Sequence, residues 1–165
     1  MNKFREKRIV PNIIPSTPQG PITVQYTTEH GIDCGVTLNA SETKDQPGIA
    51  FRAMNSRKLH TLVMFDPDTP KPASPYLANY RNWVVEDIPG DKFYKGYVVS
   101  SFAPPNPPFG SEPHRIIFLI YQQPRDDKLQ ESFDDTKRTN FQVDAFVRKR
   151  NLIGPIAGTF MYVRY

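Results

Sequence analysis

The sequence predicts a single, mostly β domain, and three observations carry that reading. The chain has 165 residues, and most of its 17 prolines fall in three short windows; proline breaks helix interiors at about 3 kcal/mol. Between the windows stand short apolar runs set apart by turn residues, which is the pattern of strands. Only one stretch, near the C-terminus, carries convincing helical signals. The strength of the apolar runs argues against general disorder, and the length suits one domain with a proper core.

Residues 1–20 are basic, then Pro-rich through Pro11, Pro15 and Pro18. They read as an arm leading into a domain over 21–165. Strands are predicted at 22–26, 35–38, 48–51, 59–65, 83–88, 97–102, 116–122 and 159–165. The runs 62–65 and 116–121 are apolar on both faces and suit central strands covered on both sides. Other runs alternate and suit strands with one wet face. For the helix, Thr139 and Gln142 have capping-box spacing. Phe141, Val143, Ala145, Phe146 and Val147 supply an apolar side. Arg148, Lys149 and Arg150 suit the last turn, where cations meet the negative end of the helix dipole, and Gly154-Pro155 predicts the stop.

The net charge is +4, with basic residues mostly scattered. No basic stripe interleaved with aromatics appears, which argues against nucleic acid as a direct partner. Cys34 is the only cysteine, so an internal disulfide and a Cys-rich metal site are excluded. The longest apolar run, 116–121, falls far short of the ~18 residues that cross a bilayer. Charge at the N-terminus without an apolar stretch behind it is not a secretory signal. A cytoplasmic protein with at most peripheral membrane contact is the expectation. No Gly-rich phosphate loop, dinucleotide fingerprint or Gly-x-Ser-x-Gly elbow occurs, and no catalytic residue, metal or cofactor is expected.

Two windows carry the candidate chemistry. Asp66-Pro67-Asp68-Thr69-Pro70 follows the apolar run directly, so its carboxylates end a buried strand and are stiffened by proline. The bland reading is an Asx-turn, in which each Asp binds nearby backbone N–H groups. The second window runs Phe102-Ala103-Pro104-Pro105-Asn106-Pro107-Pro108-Phe109-Gly110, then to His114-Arg115 at the mouth of the next apolar run. It sets a rigid rim beside a polar pair. His114 can donate a hydrogen bond to an anion when protonated, or ligate a metal when neutral. Once the strand has begun, Arg115 points to the opposite face from His114.

With Pro75-Tyr76-Leu77, the segment 82–90 (Asn82-Trp83-Val84-Val85-Glu86-Asp87-Ile88-Pro89-Gly90) and the segment 152–159, these windows resemble the phosphatidylethanolamine-binding protein family. That family includes the Raf kinase inhibitor proteins of animals and the flowering regulators of plants. The likeness spans roughly residues 22–162. It implies a large antiparallel sheet, a smaller sheet packed on it, and a helix or helices near the C-terminus. It also implies a small pocket for phosphate or a phosphoethanolamine head group, formed by Asp66, the position of Asn82, Pro107-Pro108 and His114. The candidate ligand-binding set is Asp66, Asp68, Asn82, Trp83, Asn106, Pro107, Pro108, His114 and Met161. Members of the family mostly act without catalysis by binding protein partners, notably kinases, and some inhibit serine proteases.

An ionised carboxylate only accepts hydrogen bonds. Asp66 and Asp68 are therefore expected to orient His114, hold loop backbone or receive an ammonium group. The sequence departs from the family pattern at three places. Asn82 replaces a pocket histidine, Met161 stands where many members carry a tyrosine, and Glu112-Pro113 replaces a Gly-apolar pair. Charged hydrogen bonds are worth ~1.5–3 kcal/mol against ~1 for neutral ones, so the asparagine alone implies anion affinity about tenfold weaker.

Overall fold

In the computed structural model the described residues are 2–26, 31–125, 129 and 131–165. Strands β4 (Leu59–Asp66), β5 (Tyr80–Pro89) and β7 (His114–Gln122) are buried along nearly their whole length. The two runs read as apolar on both faces are the middle of the sheet. Around them the order is β3-β1-β8-β7-β4-β5-β6, with β1 (Gly20–Gln25), β3 (Gly48–Phe51), β6 (Tyr97–Ser100) and β8 (Ile153–Arg164). The short strand β2 (Thr37–Asn39) pairs parallel with β8.

The block β8-β7-β4-β5-β6 is antiparallel throughout. The expected smaller sheet is the antiparallel pair β1–β3. It is not detached: Gly20 and Pro21 stand in parallel register with Ala157 and Gly158, joining it to β8 over two rows. The side chains of the central strands alternate between two cores, as strand geometry requires. One gathers Val63, Phe65, Ile117, Leu119 and Phe160. The other gathers Leu62, Met64, Trp83, Ile116, Phe118 and Met161, and the β1–β3 pair covers it through Ile22, Val24 and Phe51.

The first twenty residues are part of the fold rather than an arm. A short helix α1 (Lys3–Glu6) and the chain after it bury Phe4, Ile9, Val10 and Ile14 in the first core. Phe4 meets Phe160 edge to face, with centroids 5.1 Å apart.

The helix near the C-terminus differs from expectation at both ends. Helix α2 spans Val143–Lys149, and Gln142 makes no capping bond from its side chain. Asn140 is left-handed (φ 57). Its N–H and that of Phe141 donate to the carbonyls of Leu77 and Asn79, so the chain is held to another loop where the capping box was predicted. The helix stops at Asn151, also left-handed (φ 52), while the Leu152 N–H reaches back to the Val147 carbonyl. Arg150 is the C-cap, and Asn151 takes the left-handed position after it, as in a Schellman motif. Gly154-Pro155 lies inside β8, at the irregularity of the β7–β8 ladder between Ile120 and Gln122. A bulge is where a strand tolerates a residue without an N–H.

The basic triplet at the helix end is not simply a charge cap. Arg148 pairs with Asp144 and Lys149 with Glu131 on the surface, but the Arg150 guanidinium is buried against Glu86 at 2.5 Å.

Candidate functional site

The β4–β7 ladder brings the two windows together. Antiparallel pairing of Phe65 with Ile117 sets the end of β4 beside the start of β7, so Asp66 and Asp68 reach His114 and Arg115. Asp66 Oδ1 accepts the Asp68 N–H at 2.7 Å, which is the Asx-turn read from sequence. Its Oδ2 accepts His114 Nδ1–H at 2.7 Å. The Asp68 carboxylate takes the Arg115 N–H (2.8 Å), Nε–H (3.0 Å) and Nη2–H (2.7 Å). Arg115 Nη1 donates to the Lys7 carbonyl at 3.0 Å. The N-terminal segment thus braces the site, a role nothing in its composition announces.

Neighbouring residues of one strand therefore serve two carboxylates on opposite faces. The Asp68 contacts hold the Arg115 guanidinium above its usual pKa, although burial works the other way. His114 is 1 % exposed, and its other nitrogen lies 3.0 Å from Ser111 Oγ. Ser111 was not singled out in the sequence. The available signal was a serine after Gly110, three residues ahead of the histidine.

The remaining candidates are not bonded to the imidazole. Asn82 donates from Nδ2 to the Ala103 carbonyl at 3.0 Å, and the Ala103 N–H returns to the Asn82 carbonyl at 2.8 Å. Asn82 thus clamps the entry to the Pro-rich loop. Trp83 is a core residue, edge-on to Phe93 and Phe102 at 5.2 and 5.5 Å. Met161 pairs across the ladder with Ile116 and is fully buried. Pro107 is buried, whereas Asn106 and Pro108 are exposed; the Pro108 carbonyl accepts the Ser111 N–H at 3.1 Å.

A surface cavity of about 440 Å³ adjoins the Asp68–Arg115 side and is lined by Lys7, Thr37, Pro72, Glu112, Pro113 and Tyr162 as well. Of the predicted set only Asp68 contributes to its wall. No helix among the described residues is long and apolar enough to cross a membrane.

The description "Phosphatidylethanolamine-binding protein" belongs to the family model that matches residues 14–161. The chain belongs to this family. A 26 kDa secreted antigen of Toxocara canis is 31% identical over 161 residues, covering 95% of this chain and 61% of the relative. The chain thus spans about three fifths of that curated relative. Among solved structures, the carboxypeptidase Y inhibitor in complex with its cognate proteinase matches with TM-score 0.85 at 22% identity, over 99% of this chain and 93% of that one. The phosphatidylethanolamine-binding protein from Plasmodium vivax matches with TM-score 0.78 at 17% identity, over 99% and 96% of the two chains. At these identities the two structures establish the family fold, and the residues of the site speak for themselves.

Proposed function

We propose that this chain is a non-enzymatic binding protein that receives a phosphate or phosphoethanolamine-type group at His114 and acts through protein partners such as kinases. The observation that carries the reading is the buried Asp66–His114 pair. Asp66 fixes Nδ1 as the nitrogen that faces the carboxylate, so Nε2 is left toward the loop rim. A protonated His114 then offers Nε2–H to an anionic oxygen in place of Ser111. Both carboxylates are already engaged, Asp66 on His114 and the Asp68 N–H, Asp68 on Arg115.

The partner half of the reading is supported by exposed aromatic surface beside the same rim. Phe109 and Tyr165 stand edge to face at 5.3 Å and are largely exposed. The cytoplasmic placement belongs to this reading too. The Toxocara canis relative is by its name secreted, so fractionating the tagged chain between cytosol and medium checks that part.

Calorimetric titration with phosphate and with phosphoethanolamine tests the binding half. Measurable affinity in the millimolar range or better is expected. An Asn82→His variant is expected to bind about tenfold more tightly, because a protonated imidazole there has one N–H for the Ala103 carbonyl that Asn82 now holds and a second, charged one for the anion. No heat of binding from either compound with either chain refutes the head-group reading.

A further inference from the structure

The bonds around His114 have a second consequence, independent of any anion. Ser111 Oγ, His114 Nε2, His114 Nδ1 and Asp66 Oδ2 form one chain of contacts at 3.0 and 2.7 Å. That is the order and spacing of a nucleophile, its general base and the carboxylate that orients the base. We propose that Ser111 is an activated nucleophile that captures acyl or phosphonyl groups from ester-type electrophiles.

The proton positions follow from the partners. Asp66 is acceptor-only when ionised, so a neutral His114 carries its hydrogen on Nδ1 and leaves a lone pair on Nε2. The Ser111 hydroxyl hydrogen then has two acceptors in reach, Nε2 at 3.0 Å and the Glu112 carbonyl at 2.8 Å. Asp66 is itself fixed by the Asp68 N–H, and Asp68 by three bonds from Arg115. The base is therefore held in one tautomer and one orientation by the same windows that define the site.

Access and outcome are also set locally. Ser111 is half-buried, whereas His114 lies buried behind it. The preceding Gly110 is left-handed (φ 81), and a side chain built there would meet nothing within 4 Å, so space opens beside the serine. The Ser111 N–H, however, is bonded to the Pro108 carbonyl at 3.1 Å. It does not serve as an oxyanion donor, and loss of one such donor costs about 10²–10³ in rate. The expected behaviour is thus slow, stoichiometric capture. The Ser111 oxygen bonds to the carbonyl carbon or phosphorus as its proton passes to Nε2. The bond to the leaving group breaks, and the departing alkoxide takes the proton from Nε2; a departing fluoride leaves as such.

The test is incubation of the whole chain with a fluorophosphonate probe, followed by intact-protein and peptide mass spectrometry. One adduct per chain on Ser111 is expected, with none on a Ser111→Ala variant. Asp66→Asn is expected to slow labelling at least a hundredfold through the wrong tautomer. In that variant the imidazole nitrogen NMR signals of His114 are expected to report the tautomer change while the circular dichroism spectrum stays native. A native chain left unlabelled, or an adduct that persists in Ser111→Ala, overturns the proposal. Neither result bears on the head-group reading, which the calorimetric titration decides separately.

Discussion

Replacing Arg150 with alanine is expected to destabilise the chain by about 3–5 kcal/mol at neutral pH, the cost of stranding a buried charge. Arg150 Nε donates to Glu86 Oε1 at 2.5 Å, and Glu86 is 0 % exposed. The guanidinium also lies 4.3 Å over the Phe146 ring. Burial pushes the Glu86 pKa up, and Arg150 pulls it back. Without Arg150 the upward pushes of burial and of the neighbouring Asp87 are opposed only by the backbone N–H of Glu131. The folded variant then holds its carboxyl protonated over a range in which the unfolded chain has already ionised. The penalty is therefore absent below the ordinary carboxylate range and grows as pH rises through it. Urea midpoints of native and variant chains are expected to converge as pH falls from about 7 toward 4. A Glu86→Leu, Arg150→Met double variant is expected to recover most of the loss, because an apolar pair replaces a buried ion pair at little cost. A single variant within 1 kcal/mol of native at neutral pH contradicts the burial of this pair.

Truncating Phe4 to alanine is expected to cost about 3–5 kcal/mol, in line with large-to-small changes in a packed core. The ring is 1 % exposed and packs on Phe160 beside Ile9, Val10 and Ile14. The effect extends to the site. Lys7, three residues on, holds Arg115 through its carbonyl, and Lys3 Nζ holds the Cys34 carbonyl at 2.9 Å. Loosening this segment should raise the amide exchange of Arg115 as well as lower the urea midpoint. A loss below about 1 kcal/mol with unchanged exchange would mean that the segment is the dispensable arm its composition resembles.

The contrast between Phe4 and the central strands shows what the sequence reveals. The runs at Leu62 and Ile116 are apolar on both faces, and such runs have few places to go except the middle of a sheet. Once they pair, Asp66 and His114 must meet, so the heart of the site is readable from two motifs. Phe4, Ile9, Val10 and Ile14 are separated by lysines, arginines and prolines, and a four-residue helix is too short to show a period. Their burial depends on a ledge built by Phe160, far along the chain. The same holds for Asn140, whose left-handed turn is fixed by the carbonyls of Leu77 and Asn79. Arg150 reads as a helix-end cation because its true partner, Glu86, stands on a different strand. Local pattern gives the elements; partners distant in sequence decide where they end and what they hold.

The site itself is partly legible for the same reason. Asp66, Asp68 and His114 sit in motifs and are joined by hydrogen bonds. Trp83 and Met161 stand beside motif positions but face a sealed core. Asn82 is engaged with the Pro-rich loop, a contact between residues 82 and 103 that spacing alone does not display.

The central claim is that His114, oriented by Asp66, is where a phosphate-type ligand is received. Imidazole nitrogen NMR of the labelled native chain during a phosphoethanolamine titration tests it most directly. A progressive shift of the His114 Nε2 signal, with Nδ1 still held by Asp66, is the predicted result. Saturation of the titration with His114 unmoved, and shifts confined to the Arg115, Lys7 and Tyr162 cavity, would contradict it.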